Sequence, residues 1–177
     1  PITNNAISNN VSAHEGGGLG LDDAAFVNIV NNTVAKNITT ATAVTSDGSP
    51  APAGLSTGAN SDPLQARLRN TTLFNGSATL AATTFSKPTL LNDVFWDNRA
   101  GSYSGGILDG ITTGAANNWD MGSTDGSGPL APISSVIQTT TGTAASPTNS
   151  VAATPPSWVR STARWAARPR PPHRGSR

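Results

Sequence analysis

Adjacent acids and a few aromatic residues are the groups in this 177-residue chain whose types and spacing can do chemistry. Asp22 and Asp23 stand side by side directly after the run GGGLGL, and Asp93 and Asp97 lie close together further on. Calcium takes roughly six to eight oxygens, which neighbouring aspartates and backbone carbonyls can partly supply. Paired aspartates after a glycine corner also serve simply to turn the chain. Trp96, beside Phe95 and near Tyr103, suits a stacking platform for sugar rings, because aromatic faces match their apolar faces. His14 and Glu15 precede three glycines and read as exposed loop residues, with no identifiable partners for a metal. GGGLG is no phosphate loop, since it lacks a Lys-Ser/Thr ending and a following helix. The ligand-binding candidates are therefore Trp96, Tyr103, Asp22 and Asp23. No catalytic or metal-ligating set is assigned and no cofactor is expected; calcium is the one ion the acids suggest.

Such residues need a frame, and the frame is written three times. ITNNAISNN (residues 2–10), IVNNTVAKN (29–37) and LLNDVFWDN (90–98) share one nine-place pattern. The first and sixth places are apolar, the third and ninth are Asn, and the fourth is Asn or Asp. Alternation in the first half puts Val27, Ile29 and Asn31 on one face of a short strand. Asn31-Asn32 then turns the chain, since Asn tolerates left-handed backbone angles and bonds to its own neighbours. Val34 restarts a strand that Asn37 closes. Stacking such windings about 4.8 Å apart sets each Asn over its equivalent, so amides can bond along the stack. Buried Asn is then satisfied instead of orphaned. Phe95 falls in an interior column, and Trp96, one place along, is expected to point outward. A Gly-apolar signal follows the repeat: Gly18-Leu19 and Gly106-Ile107 at equal distances, and Gly54-Leu55 later, across an insertion at residues 45–53.

Composition agrees with thin layers and no thick core. Apolar residues are 36% and charged ones 12%, against globular norms of roughly 45–50% and 25%. Disorder is the competing reading for so polar a chain, and the regular aliphatics argue against it. All ten acidic residues lie at or before Asp125, whereas six of the eleven basic ones fall in residues 160–177. The body is thus mildly acidic, which argues against nucleic-acid binding by the folded part. There is no Cys, so disulfides and cysteinyl metal sites are excluded. No apolar run is long enough to span a membrane. The chain opens at Pro1 inside the first copy, so it reads as part of a longer parent chain that would also be its partner.

A second insertion is expected at residues 56–87. Its SDPLQARLRN reads as a short helix capped by Ser61 or Asp62, with Pro63 in the first turn, or as an irregular loop. ISSVIQ (133–138) is the last expected strand, residues 139–156 a linker, and residues 157–177 a disordered basic tail or out-of-frame sequence. Residues 1–138 form the folded unit in this reading.

The NN-x-[IV]-x-x-N repeats, the GGGL and GGI corners and FWDNRAGSYSGG (95–106) resemble the right-handed parallel β-helix proteins, a pectate-lyase-like superfold of secreted bacterial proteins. The resemblance implies an all-β solenoid of three recognisable windings with two degenerate ones, exported to the cell surface or beyond. Lyases on this fold hold Ca²⁺ with acids, for which Asp22, Asp23, Asp93 and Asp97 are the candidates. They remove a proton with a basic residue, here Arg67, Arg69 or Arg99. Hydrolases on it use clustered Asp with His and Arg/Lys motifs, of which only the paired Asp is present. The expected role is a non-catalytic surface scaffold or adhesin-like module that binds polysaccharide or cell-surface glycan. A lyase or hydrolase with an incomplete site is the alternative.

Overall fold

The computed structural model describes residues 1–70, 84–124, 128–146 and 148–151. The residues between 70 and 84 and the basic tail lie outside it, so the expectations placed on them have no structural counterpart here. The chain visits its sheets in a fixed order. A first pass lays down β1 (Ile2–Thr3), β2 (Ala6–Ser8), β3 (Val11–Ser12) and β4 (Leu19–Leu21). The second lays down β5 (Asn28–Val30), β6 (Thr33–Ala35), β7 (Ile38–Thr39) and β8 (Leu55–Thr57), followed by helix α1 (Asp62–Asn70). The third comprises β9 (Thr89–Leu91), β10 (Val94–Trp96), β11 (Arg99–Ala100), β12 (Ser102–Ser104), β13 (Ile107–Asp109) and β14 (Met121–Ser123). Last come β15 (Pro132–Ile133), β16 (Val136–Ile137) and β17 (Ser150–Val151).

Strands from successive passes pair in parallel and in register. The sheet orders are β1-β5-β9-β15, β2-β6-β10-β16-β17, β3-β7-β11 and β4-β8-β14. Equivalent places of the nine-residue pattern become direct neighbours: Ile2 pairs with Ile29 and Ile29 with Leu90, while Ile7 pairs with Val34 and Val34 with Phe95. The third-place residues Asn4, Asn31 and Asn92 each have φ of 58°, the left-handed corner expected of them. A second such corner falls at Asn9, Lys36 and Asp97, one residue before the closing Asn. The inward columns meet in one core of Ile29, Val34, Leu55, Phe85, Leu90, Phe95, Met121, Leu130 and Ile137. The result is an all-β fold with mostly parallel sheets and one described helix.

Helix α1 starts as expected: the Ser61 carbonyl accepts the Gln65 amide at 2.9 Å, and Asp62 sits in the first turn. Four other expectations are corrected. Ser56 and Thr57 belong to β8, so the second insertion begins after them. Gly106-Ile107 is not the third Gly-apolar corner, because β12 and β13 fold back as an antiparallel hairpin. Met121 takes that place instead, paired with Leu55, so Asp120 stands where Gly18 and Gly54 stood. Residues 132–138 are a degenerate fourth copy with Ser134 and Ser135 in the Asn places, Ser134 keeping φ of 50°. The expected linker is no linker over its described residues, 139–146 and 148–151. Leu130 bridges Thr143 in parallel, and β17 pairs with β16.

Glycine at residue 54 is dictated by closeness. A Cβ there would lie 2.2 Å from the Asp120 carbonyl oxygen and 2.9 Å from Asn98 Nδ2. At residue 18 it would lie 2.6 Å from the Gly54 carbonyl oxygen. The corner glycines therefore let neighbouring passes close over the buried asparagines.

Candidate functional site

Two polar ladders run through the core, and they claim several of the acids that sequence marks as chemical. In the fourth-place column, the N and Nδ2 of Asn32 donate to Asp93 Oδ1 at 2.8 and 3.1 Å. Asp93 N then donates to Ser135 Oγ, and Ser135 N to Asn149 Oδ1. In the ninth-place column, Asn37 donates to Asn98 Oδ1, and Asn98 Nδ2 donates to Asp120 Oδ1 at 2.9 Å. Asp120 Oδ2 accepts the amides of Gln138 and Thr139. Burial raises both the Asp93 and Asp120 carboxyls above the ordinary carboxylate value, against the pull of these hydrogen bonds.

Asp93 is the ladder's misfit, since the first two passes carry Asn there. An Asn would keep the bond from Asn32 and, in exchange for the bond that the Leu91 amide donates to Asp93 Oδ2 at 3.2 Å, could donate to carbonyls as Asn32 does to Ile2 and Val30. Asp93→Asn should therefore raise stability at neutral pH by about 1 kcal/mol. A raised folded value means the protein gives up stability as pH climbs from the unfolded value through the folded one. The gap between variant and wild type in urea midpoint should thus shrink toward acid pH. A variant less stable at pH 7 would show that the ladder needs the charge.

At the corner between β10 and β11, Asp97 binds Lys36 Nζ at 3.1 Å and Arg99 Nε at 2.7 Å. Burial pulls its carboxyl up, but hydrogen bonds from Arg99 and Lys36 outweigh this and hold it below the usual value. Arg99 also donates to the Ile111 carbonyl at 2.9 Å. This guanidinium is thereby occupied in joining two segments. Arg67 and Arg69 sit exposed on the last turn of α1.

Asp22 and Asp23 follow β4 and are both exposed. Asp23 has φ of 48° and accepts the Ser61 amide, which lowers its carboxyl and ties this corner to the start of α1. Among the described residues, no three acidic or histidine side chains gather as a metal site would require. His14 and Glu15 are half-buried and pair with each other at 3.4 Å, not freely exposed as expected. Trp96 lies on the strand face opposite Phe95, as alternation demands, yet it is only 5% exposed and packs beside Ala35. It presents no open ring face, which corrects the expectation of an exposed stacking residue. Tyr103 is 39% exposed on the hairpin, where its amide donates to the Gly48 carbonyl at 2.8 Å.

Sequence reading passed over Trp119. It lines an open cleft of about 430 Å³ with Ser123, Thr124, Gly128, Pro129 and Thr143. Its Nε1 donates to the Met121 carbonyl at 3.1 Å, which fixes the ring. Gly122 and Gly142 border it, and a Cβ on either would stand 3.0 or 3.1 Å from Nε1. Thr124 also borders a second cleft of about 330 Å³, lined by His14, Thr45, Ser46, Asp47 and Ser49. The Ser49 amide lowers the Asp47 carboxyl, so this cleft carries a negative charge at neutral pH. Each hydroxyl here has both donor and acceptor capacity. The signal in sequence is a tryptophan amid glycine and asparagine (NNWDMG) that belongs to no apolar column. Compared with protein-family models, with curated proteins and with solved structures, the chain matches none.

Proposed function

We propose that this chain is a stretch of right-handed parallel β-helix serving as a secreted or cell-surface scaffold, adhesin-like and non-catalytic, that binds carbohydrate. In-register parallel pairing of successive passes supports the winding. Right-handedness is the reading favoured by the rule that parallel crossovers are right-handed in about 98% of cases. The scaffold reading rests on the use of charge: Asp93, Asp97, Asp120 and Arg99 are all tied into bonds between segments. The single observation behind carbohydrate binding is the Trp119 cleft, a fixed indole surrounded by hydroxyls. A sugar ring stacks its C–H face on such an indole while its hydroxyls exchange hydrogen bonds with Ser and Thr.

The test is titration with neutral and uronate oligosaccharides, followed by tryptophan fluorescence. Trp119→Ala should weaken binding about tenfold or more, the loss of a central aromatic anchor, with unchanged circular dichroism. Trp119→Tyr should restore part of it. Wild-type protein that binds none of these sugars, or Trp119→Ala that binds equally, ends the proposal. The acid and imidazole of the second cleft give the enzymatic alternative its one support. Calcium-dependent release of unsaturated sugars from polyuronates would favour it.

A further inference from the structure

Two clefts share one wall. Thr124 borders both the Trp119 cleft and the cleft of His14, Thr45, Ser46, Asp47 and Ser49. Its hydroxyl is fixed, lying 2.7 Å from Ser56 Oγ and donating to the Thr57 carbonyl at 3.2 Å. His14, Ala51 and Trp119 stand shortly before β4, β8 and β14, the three strands of one sheet. The Gly16 amide donates to the Pro52 carbonyl and the Ala53 amide to the Trp119 carbonyl, both at 3.0 Å. These bonds set the three segments on successive passes, about 4.8 Å apart. The clefts are thus neighbours along the stack, with room for more than one sugar ring.

They differ in charge. The residues lining the Trp119 cleft are all uncharged. The second cleft holds Asp47, on the insertion between β7 and β8. That insertion is pinned to its surroundings. The Ala43 amide donates to the Ala13 carbonyl at 2.9 Å, the Tyr103 amide to the Gly48 carbonyl at 2.8 Å, and the Thr39 hydroxyl to the Ala51 carbonyl at 2.8 Å. Asp47 Oδ1 accepts the Ser49 amide at 2.8 Å, which orients the carboxylate. Among the described residues, no lysine or arginine pairs with it. His14 is the one lining residue that can become cationic, and Glu15 at 3.4 Å offsets that charge.

Resting on the reading of the Trp119 cleft as a sugar site, we propose that both clefts form one groove for a glycan with a free amino group. A neutral ring stacks on Trp119, and the ammonium of an adjoining amino sugar binds Asp47. An ammonium has three donors to place, and the hydroxyls of Thr45, Ser46 and Ser49 line the same cleft as the carboxylate. A uronate there would set its own carboxylate against Asp47, like charge against like. Calcium could bridge two carboxylates, but it takes roughly six to eight oxygens, and the cleft lining holds one carboxylate.

The probes are oligomers of glucosamine and the same oligomers fully N-acetylated, titrated into the full chain by calorimetry in mildly acidic buffer. The amine form should bind about tenfold more tightly than the acetylated form, the worth of one hydrogen bond to a charged group. Asp47→Asn keeps an acceptor for the Ser49 amide and should abolish the preference while leaving acetylated binding unchanged. Trp119→Ala should weaken both forms. Asp62→Asn, which removes an exposed acid on α1, should keep the preference. Wild-type protein without the preference, its persistence in Asp47→Asn, or its loss in Asp62→Asn would overturn the amino-sugar assignment and leave the Trp119 reading standing. Binding of neither form would overturn both.

Discussion

Asn98→Ala is expected to destabilise the protein by about 3–5 kcal/mol, the scale for breaking one partner out of a buried charged network. The side chain is fully buried and makes a complete set of bonds. Its Oδ1 accepts two donors from Asn37, and its Nδ2 donates to the Val34 carbonyl and to Asp120. Alanine leaves the donors without an acceptor and removes one of the groups that offset the buried Asp120 charge. Asn98→Asp sharpens the test. It keeps an acceptor for Asn37 but sets a carboxylate where Asn98 Nδ2 now lies, 2.9 Å from Asp120 Oδ1. Two carboxylates that close cannot both ionise, so the folded pair retains a proton to higher pH than the unfolded chain. The stability of this variant is then held below the unfolded carboxylate value and lost as pH rises through the raised folded one. Urea midpoints of variant and wild type should converge at acid pH and part at neutral pH. A constant gap would mean that water reaches the ladder.

Phe95→Ala should cost about 3–5 kcal/mol, the range for emptying a packed aromatic site. Phe95 is 0% exposed and is paired in register with Val34 on one side and Ile137 on the other. Thin layers cannot close such a gap from the side, because each pass offers only a few inward residues. Denaturant melts give the value directly. Trp96→Ala, one residue away, makes a useful comparison, since its ring packs in a separate small cluster with Ala35. A loss under about 1 kcal/mol for Phe95→Ala, the level of an exposed position, would contradict a continuous apolar column.

The regular part of the fold was legible because one physical need repeats. Each pass must place an aliphatic inside, turn through a left-handed corner and satisfy a buried amide, so Ile29, Asn31 and Asn32 recur as Leu90, Asn92 and Asp93. Ser134 and Ser135 obey the same geometry with different chemistry, and a pattern keyed to Asn does not identify them as a copy. Gly106-Ile107 misled for the opposite reason. Its residues fit the corner, but the preceding Ser102–Ser104 strand could pair locally, and a nearby hairpin closes a shorter loop than a full pass. The site was less legible. Trp96 alternates outward as it should and is nevertheless covered, since alternation sets direction and says nothing of what lies beyond.

By itself the sequence determined the stacking partners, because identical side chains at identical spacing satisfy one another only when aligned. Strand register, the corners and the inward columns follow from that local, repeated requirement. What tertiary structure alone decided was the fate of residues present once: Asp120 as the end of a ladder, Asp23 as a tie to the helix, Trp119 as a cleft wall. Their roles depend on which segments the insertions bring alongside, and those distances are set by the whole path of the chain.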